Sequence, residues 1–305
     1  MIRTGLTLLA VGSFALFGWL PRVAAAPVKT GGQVRTITVR PGLVRRTARL
    51  YVPTSLPKGT RVPLVVVLHG GFGVADGAAK QTGFDAQAER GKFLVVYPQG
   101  ILRSWNAGIC CGPAMKNNVD DVRFITTLLD RLEADYRIDT RRMYATGISN
   151  GGMMAYRLAC EAPDRFAAIA PVAATLTISG CRPPQPVSLL HIHGMEDGNV
   201  PFAGGVGSKS LQQRAVAYPP VRAGIDRFVE IDSCGAKPNA HVNGKVTTET
   251  WKSCHDHRTI ELITISDGGH SWPGGRRMSD KLDAPSTALD ATATIWAFFA
   301  AHPRP

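Results

Sequence analysis

The sequence predicts an α/β domain, with a mostly parallel sheet and helices on both faces. Three observations predict it. Short apolar runs at residues 64–68 and 93–97 suit strands buried on both faces. Each run is stopped by turn residues, His69-Gly70-Gly71 and Pro98-Gln99-Gly100. Stretches with helical spacing alternate with such runs, the pattern of parallel sheets with crossover helices. At 305 residues, 44% of them hydrophobic, the chain can fill a large core and is too apolar for a disordered protein.

The elements follow in order. Arg3, an apolar stretch from 6 to 20 and the small residues Val23-Ala24-Ala25-Ala26 form an export signal, cut best after Ala25. Residues 1–25 are therefore read as signal peptide and 26–305 as one domain; a signal anchor is the rival reading. Residues 35–39 and 47–52 are β-branched and read as early strands. Residues 64–68 and 93–97 are the buried strands. Residues 120–135 place Val122, Ile125, Leu128, Leu129 and Leu132 at helical spacing, with acids in the first turn. A short strand at 142–146 leads into a glycine-rich turn and a helix ending at Cys160. Residues 166–172, 187–192 and 258–265 read as further strands, and 291–301 as a closing amphipathic helix. Residues 203–250 lack a clear pattern and are expected to form a small irregular lid over the sheet's carboxyl edge. No repeat or Ser/Thr/Pro-rich linker divides the chain.

Charge and cysteines narrow the class. The formal net charge is +12 and the pI about 9.8. The cations lie in ones and twos (Arg45-Arg46, Arg141-Arg142, Arg276-Arg277), so no nucleic-acid partner is expected. Beyond the export signal no second long apolar segment occurs, so no stable membrane insertion is expected after cleavage. Six cysteines, all after the signal, suit disulfides in an exported protein. Cys160–Cys181 and Cys234–Cys254 each close a short local loop, which leaves Cys110-Cys111 as a vicinal pair or reduced. Each local disulfide would contribute about 3 kcal/mol in the chain-entropy picture. Without a CxxC pair, no zinc or other metal site is expected.

The chemistry centres on Gly147-Ile148-Ser149-Asn150-Gly151, which fits G-x-S-x-G between a strand and a helix. Such a turn strains the serine backbone and exposes Oγ above the sheet, at a helix N-terminus that favours developing negative charge. A serine hydroxyl needs a base and a group that orients the base. Asp197 follows the strand at 187–192, at a carboxyl edge where ligand chemistry gathers. His270 follows Gly268-Gly269, beyond the last strand, and completes the order Ser149, Asp197, His270. His69-Gly70-Gly71-Phe72-Gly73 follows a buried strand and suits an oxyanion hole, with one N–H from Gly71 or Phe72 and the other from Asn150. Glu196 is the rival acid. Asp120 and Asp121 read as helix openers, and His193 as a hydrogen-bonded structural residue near the site. His255-Asp256-His257 reads as a solvated loop. Trp105 and Trp272 offer flat faces for a sugar or aromatic acyl group, with core or rim packing as the alternative.

Together these pieces resemble the polyhydroxybutyrate (PHB) depolymerase-like and feruloyl-esterase group of secreted α/β-hydrolases, of the carbohydrate esterase family one type. The resemblance rests on His69-Gly70-Gly71, Ser104-Trp105-Asn106 with Cys110-Cys111-Gly112, and Asn118-Val119-Asp120-Asp121-Val122. It continues through Gly147 to Gly152, His193-Gly194 with Asp197, and Gly269-His270-Ser271-Trp272-Pro273-Gly274. It spans about residues 35–300 and departs mainly at 204–223, a basic, glycine-rich stretch. It implies a Ser149–His270–Asp197 triad, an acyl-serine intermediate and no cofactor or metal. The expected partner is a small ester or oligomeric ester: a short polyhydroxyalkanoate oligomer, or an acetyl or feruloyl ester of polysaccharide. Activity should require neutral His270. A serine peptidase of the same fold and a non-hydrolytic surface-binding or acyl-transfer protein are the alternatives. The oligomeric state is open.

Overall fold

The computed structural model describes residues 31–110, 112–209, 216–235, 237–280 and 282–305. The export segment expected at 1–25 lies outside them, as does Cys111. The chain opens with strands β1 (Gln33–Val39), β2 (Arg46–Val52) and β3 (Val62–Leu68), then helices α1 (Ala75–Thr82) and α2 (Phe84–Gly91). Strand β4 (Leu94–Pro98), helices α3 (Gly112–Lys116) and α4 (Asp121–Asp135), strand β5 (Ile138–Ile148) and helix α5 (Asn150–Glu161) follow. Next come β6 (Ala168–Val172), β7 (Ser188–Gly194), a two-strand ribbon β8 (Gly205–Val206) and β9 (Ala217–Tyr218), and helix α6 (Val221–Ile231). A hairpin of β10 (Asn239–Asn243) and β11 (Val246–Trp251), strand β12 (Ile260–Ile265) and helix α7 (Ala291–Ala301) complete the chain.

Among the described residues ten strands form one sheet in the order β1-β2-β4-β3-β5-β6-β7-β12-β11-β10. The centre, from β4 to β12, is parallel; β1 and β2 at one edge and β11 and β10 at the other are antiparallel. Strand β3 shows why the centre reads as continuous apolar sequence. Leu64, Val66 and Leu68 pack with the α4–α5–α6 layer, whereas Val65 and Val67 pack with the α1–α2–α7 layer. Both faces are covered, so no position in the run can be polar without a buried partner.

Helix α4 follows the predicted stripe. The Asp120 carboxylate caps it, accepting from the Arg123 N–H at 2.9 Å, and Phe124, Ile125, Leu128, Leu129 and Leu132 are buried. The stretch at 203–250 departs from the expected irregular lid. It contains α6, whose Val221, Ile225 and Phe228 join the core, and the β10–β11 hairpin, which extends the sheet. Strand β10 is exposed and β11 mostly half-buried, with few apolar side chains between them, which hid the hairpin from an apolar-run reading. Helices α1 and α2 also went unforeseen. Each is eight residues long and rich in Ala and polar groups, and they meet at Gly83 in the left-handed region (φ 68°). Both local disulfides form: Cys160–Cys181 ties the end of α5 to the loop before β7, and Cys234–Cys254 ties the end of α6 to the turn after β11. No helix among the described residues is long and apolar enough to cross a membrane.

Candidate active site

Strand β5 ends at Ile148 and helix α5 begins at Asn150, so Ser149 makes the whole turn alone. Its backbone sits at φ 56°, ψ −124°, a strained combination for a residue with a side chain. The Ser149 N–H donates to the Val172 carbonyl, and its own carbonyl accepts from the Met153 N–H, both at 2.9 Å. The glycines are there for space: a Cβ at Gly147 would come within 2.6 Å of the Leu68 carbonyl oxygen, and one at Gly151 within 2.5 Å of the His69 carbonyl oxygen. The sharp turn is thus bought by bare backbone packing against the end of β3.

Asp197 stands in the loop after β7. Its Oδ1 accepts the N–H groups of Asn199 and Val200, both at 2.8 Å, and its Oδ2 accepts from His270 Nδ1 at 2.7 Å. A carboxylate only accepts here, so the ring proton sits on Nδ1 and Nε2 is left as the acceptor. Burial pushes the Asp197 carboxyl up, but the hydrogen bond and charge of His270, the nearby His193 and the backbone donors outweigh it, and the net shift is downward. Glu196, the rival acid, is exposed.

Ser149 and His270 line one cavity of about 480 Å³, together with Gly71 and Asn150. Its wall also includes Phe72, Val74, Ile148, Val200, Met278 and Leu282, so it is largely apolar; Arg103 is the permanently charged side chain among the described lining residues. Of the two glycine-loop donors considered, Phe72 spends its N–H on the Arg103 carbonyl at 2.8 Å. His69 sits beneath this loop. It accepts from the Gly100 N–H at Nε2 (3.0 Å) and donates from Nδ1 to the Gly70 carbonyl (2.8 Å). Burial lowers its pKa to about 4, so the ring is a neutral brace.

Trp105 and Trp272 do not line the cavity. Both are fully buried. The Trp105 indole N–H donates to the His69 carbonyl at 2.8 Å, and its backbone N–H and C=O are clasped by the Asn150 side chain at 2.7 and 3.0 Å. The Trp272 indole N–H donates to Thr292 Oγ1 at 2.9 Å, and its ring meets Phe84 edge-on. A buried indole needs a partner for its N–H, and both found one inside the protein. The sequence expectation that these rings contact substrate is corrected to the packing alternative.

Other residues stand as follows. Asp121 is buried and accepts from Arg46 and from the Asn106 N–H, both at 2.8 Å, which ties α4 to the loop that carries Trp105. His255 and His257 lie exposed in a short turn, and no group of three or more His, Cys, Asp or Glu among the described residues could hold a metal ion. Asp283 was missed. Its Oδ2 accepts the His270 backbone N–H at 2.8 Å while Lys209 holds its Oδ1 at 3.0 Å. It is one acid in a polar loop, and no local pattern marks it.

A family model described as "Esterase PHB depolymerase" matches residues 47–179. A probable feruloyl esterase C of Aspergillus clavatus is 31% identical over 294 residues, covering 91% of this chain and 93% of that protein. The chain belongs to this esterase family. It is accordingly a serine hydrolase acting on ester bonds. The putative esterase NocK of Nocardia uniformis subsp. tsuyamanensis is 32% identical over 236 residues, 72% of this chain and 68% of that one. An acetyl xylan esterase from Aspergillus awamori shares the fold, with a TM-score of 0.63 at 16% identity over 88% of this chain and 99% of that one. The α/β-hydrolase architecture expected from the sequence is therefore the architecture of this esterase.

Proposed function

We propose that this esterase is secreted and cleaves carboxylic esters through a triad of Ser149, His270 and Asp197. The observation that carries the reading is the Asp197–His270 hydrogen bond beside a cavity that the strained Ser149 turn also lines. His270 Nε2 takes the proton from Ser149 Oγ as the oxygen attacks the ester carbonyl. Asp197 fixes the ring tautomer and stabilises the imidazolium that forms. The N–H groups of Gly71 and Asn150 receive the oxyanion, each worth roughly 3 kcal/mol in the transition state. Engagement of the Phe72 N–H supports Gly71 as the loop donor. The alcohol leaves with the proton from His270, which then activates water against the acyl-serine.

The substrate class remains short hydroxyalkanoate oligomers or acetyl and feruloyl esters. The apolar wall suits an acyl chain, and Arg103 favours a substrate whose far end carries a carboxylate, as a free hydroxyalkanoate oligomer does. The export pattern at 1–25 and the two disulfides support secretion.

The test is Ser149→Ala. Hydrolysis of p-nitrophenyl butyrate should fall on the order of 10⁵-fold while the circular dichroism spectrum is unchanged. Substantial residual turnover would remove Ser149 from the mechanism. A panel of acetyl, butyryl, hydroxybutyryl-oligomer and feruloyl esters then ranks the substrates, with the oligomer offered as free acid and as methyl ester to read the contribution of Arg103.

A further inference from the structure

Two buried histidines take no part in the proposed reaction, yet they lie on a continuous hydrogen-bonded path to its acid. His191 and His193 are neighbours on one face of β7, both fully buried, with rings stacked 5.3 Å apart. His193 Nε2 lies 2.9 Å from the Val200 carbonyl oxygen. A carbonyl only accepts, so Nε2 carries the ring proton and the Nδ1 of neutral His193 is bare. His191 Nε2, 3.1 Å from that Nδ1, must then be the donor. His191 Nδ1 is in turn bare, and it accepts from the Tyr156 hydroxyl at 2.8 Å. One direction of donation therefore runs from Tyr156 through His191 and His193 to Val200, and every ring nitrogen is used. Burial lowers the pKa of both histidines, which keeps the rings in the neutral form that this order requires.

The two ends of the path matter. Tyr156 lies on α5, the helix that starts immediately after Ser149. Val200 is held from both sides, for its carbonyl accepts from His193 while its N–H donates to Asp197 Oδ1 at 2.8 Å. His193 Nε2 also stands 3.5 Å from Asp197 Oδ2, the oxygen that binds His270. We propose that Tyr156, His191 and His193 form a buried positioning chain that fixes the Asp197 loop relative to the helix behind the nucleophile. The three are positioning residues, since none touches the cavity's reacting atoms. The proposal rests on the triad reading above. It explains why two imidazoles occupy two strand positions that aliphatic residues would fill with less desolvation: a Leu cannot both accept from one neighbour and donate to the next.

The test compares His193→Leu, His193→Gln and Tyr156→Phe with the wild-type enzyme, all assayed with p-nitrophenyl butyrate. Wild-type protein is first treated with a fluorophosphonate probe. Absence of labelling would overturn the triad reading itself, whatever the variants do. With labelling present, His193→Leu should lower kcat roughly 10- to 100-fold and leave KM within about twofold, because the acid is displaced and the acyl pocket is not. His193→Gln, which supplies an N–H and an acceptor, should recover most of that loss. Tyr156→Phe removes one oxygen from the far end and should lower kcat by roughly three- to tenfold; it decides the matter if His193→Leu does not fold. Unchanged kcat in the folded variants, a loss confined to KM, or no recovery by Gln would overturn the chain as a positioning device.

Discussion

The turn that carries Ser149 and the rim of the cavity it faces are built on different principles. The turn is one contiguous stretch, Gly147 to Gly152, pinned by backbone hydrogen bonds and by glycines that leave no room for a Cβ. Ile148 and Asn150 on either side are buried at 6% and 0% exposure. The rim is gathered from stretches far apart in the chain: Phe72, Arg103 and Met278. Phe72 and Met278 are 57% and 40% exposed. On the proposed mechanism the nucleophile is held by close packing and hydrogen bonds, whereas substrate choice is left to side chains with solvent on one side. Substitutions in the first region should therefore stop the reaction or unfold the protein, and those in the second should re-rank substrates.

After loss of Ser149 itself, the largest expected effect lies with the acid. Asp197→Asn should reduce kcat on the order of 10⁴-fold, because an amide N–H facing His270 favours the tautomer with the proton on Nε2. Steady-state kinetics on any ester that the wild type accepts reads this directly. A loss under tenfold would show that the Asp197–His270 bond is not part of the reaction.

The brace beneath the glycine loop is next. His69 has its pKa lowered from 6.5 to about 4, so the unfolded chain takes up a proton that the folded one refuses. Stability from this group is complete above about pH 6.5 and is lost as the pH falls toward 4, a loss of about 3 kcal/mol. His191 and His193 are lowered in the same direction and add to it. Urea midpoints measured from pH 7 to pH 4 should fall, and His69→Gln should flatten part of that slope. Parallel curves for the two proteins would contradict the account of His69.

The smallest effect belongs to the rim. Met278→Ala should alter kcat/KM for long acyl chains relative to acetyl by roughly three- to tenfold and change stability by no more than about 0.5 kcal/mol. Equal effects on all esters would place Met278 outside the acyl site.

The same contrast decides how much was legible in the sequence. Continuous apolar runs marked β3 and β4 because both sheet faces are covered, and the Ser149 turn was legible because its sterics demand glycine at fixed spacing. Asp197 and His270 could be placed by chain order and by their position after strands. Asp283 and the wall residues Met278, Ser279 and Leu282 were not legible, since their roles come from where a long loop returns in space. The two tryptophans illustrate the limit. Their flat faces suggested a substrate contact as one of two readings, but side-chain direction is set by packing, and both indoles turned inward. The β10–β11 hairpin was missed for a related reason: it pairs at an exposed sheet edge with little apolar content.

The most direct test of the central claim is to map the covalent adduct left by a fluorophosphonate on the active enzyme by peptide mass spectrometry. The account predicts one adduct, on the oxygen of Ser149, appearing in step with the loss of esterase activity. Full inactivation with the adduct on another residue, or full activity with Ser149 modified, would contradict it.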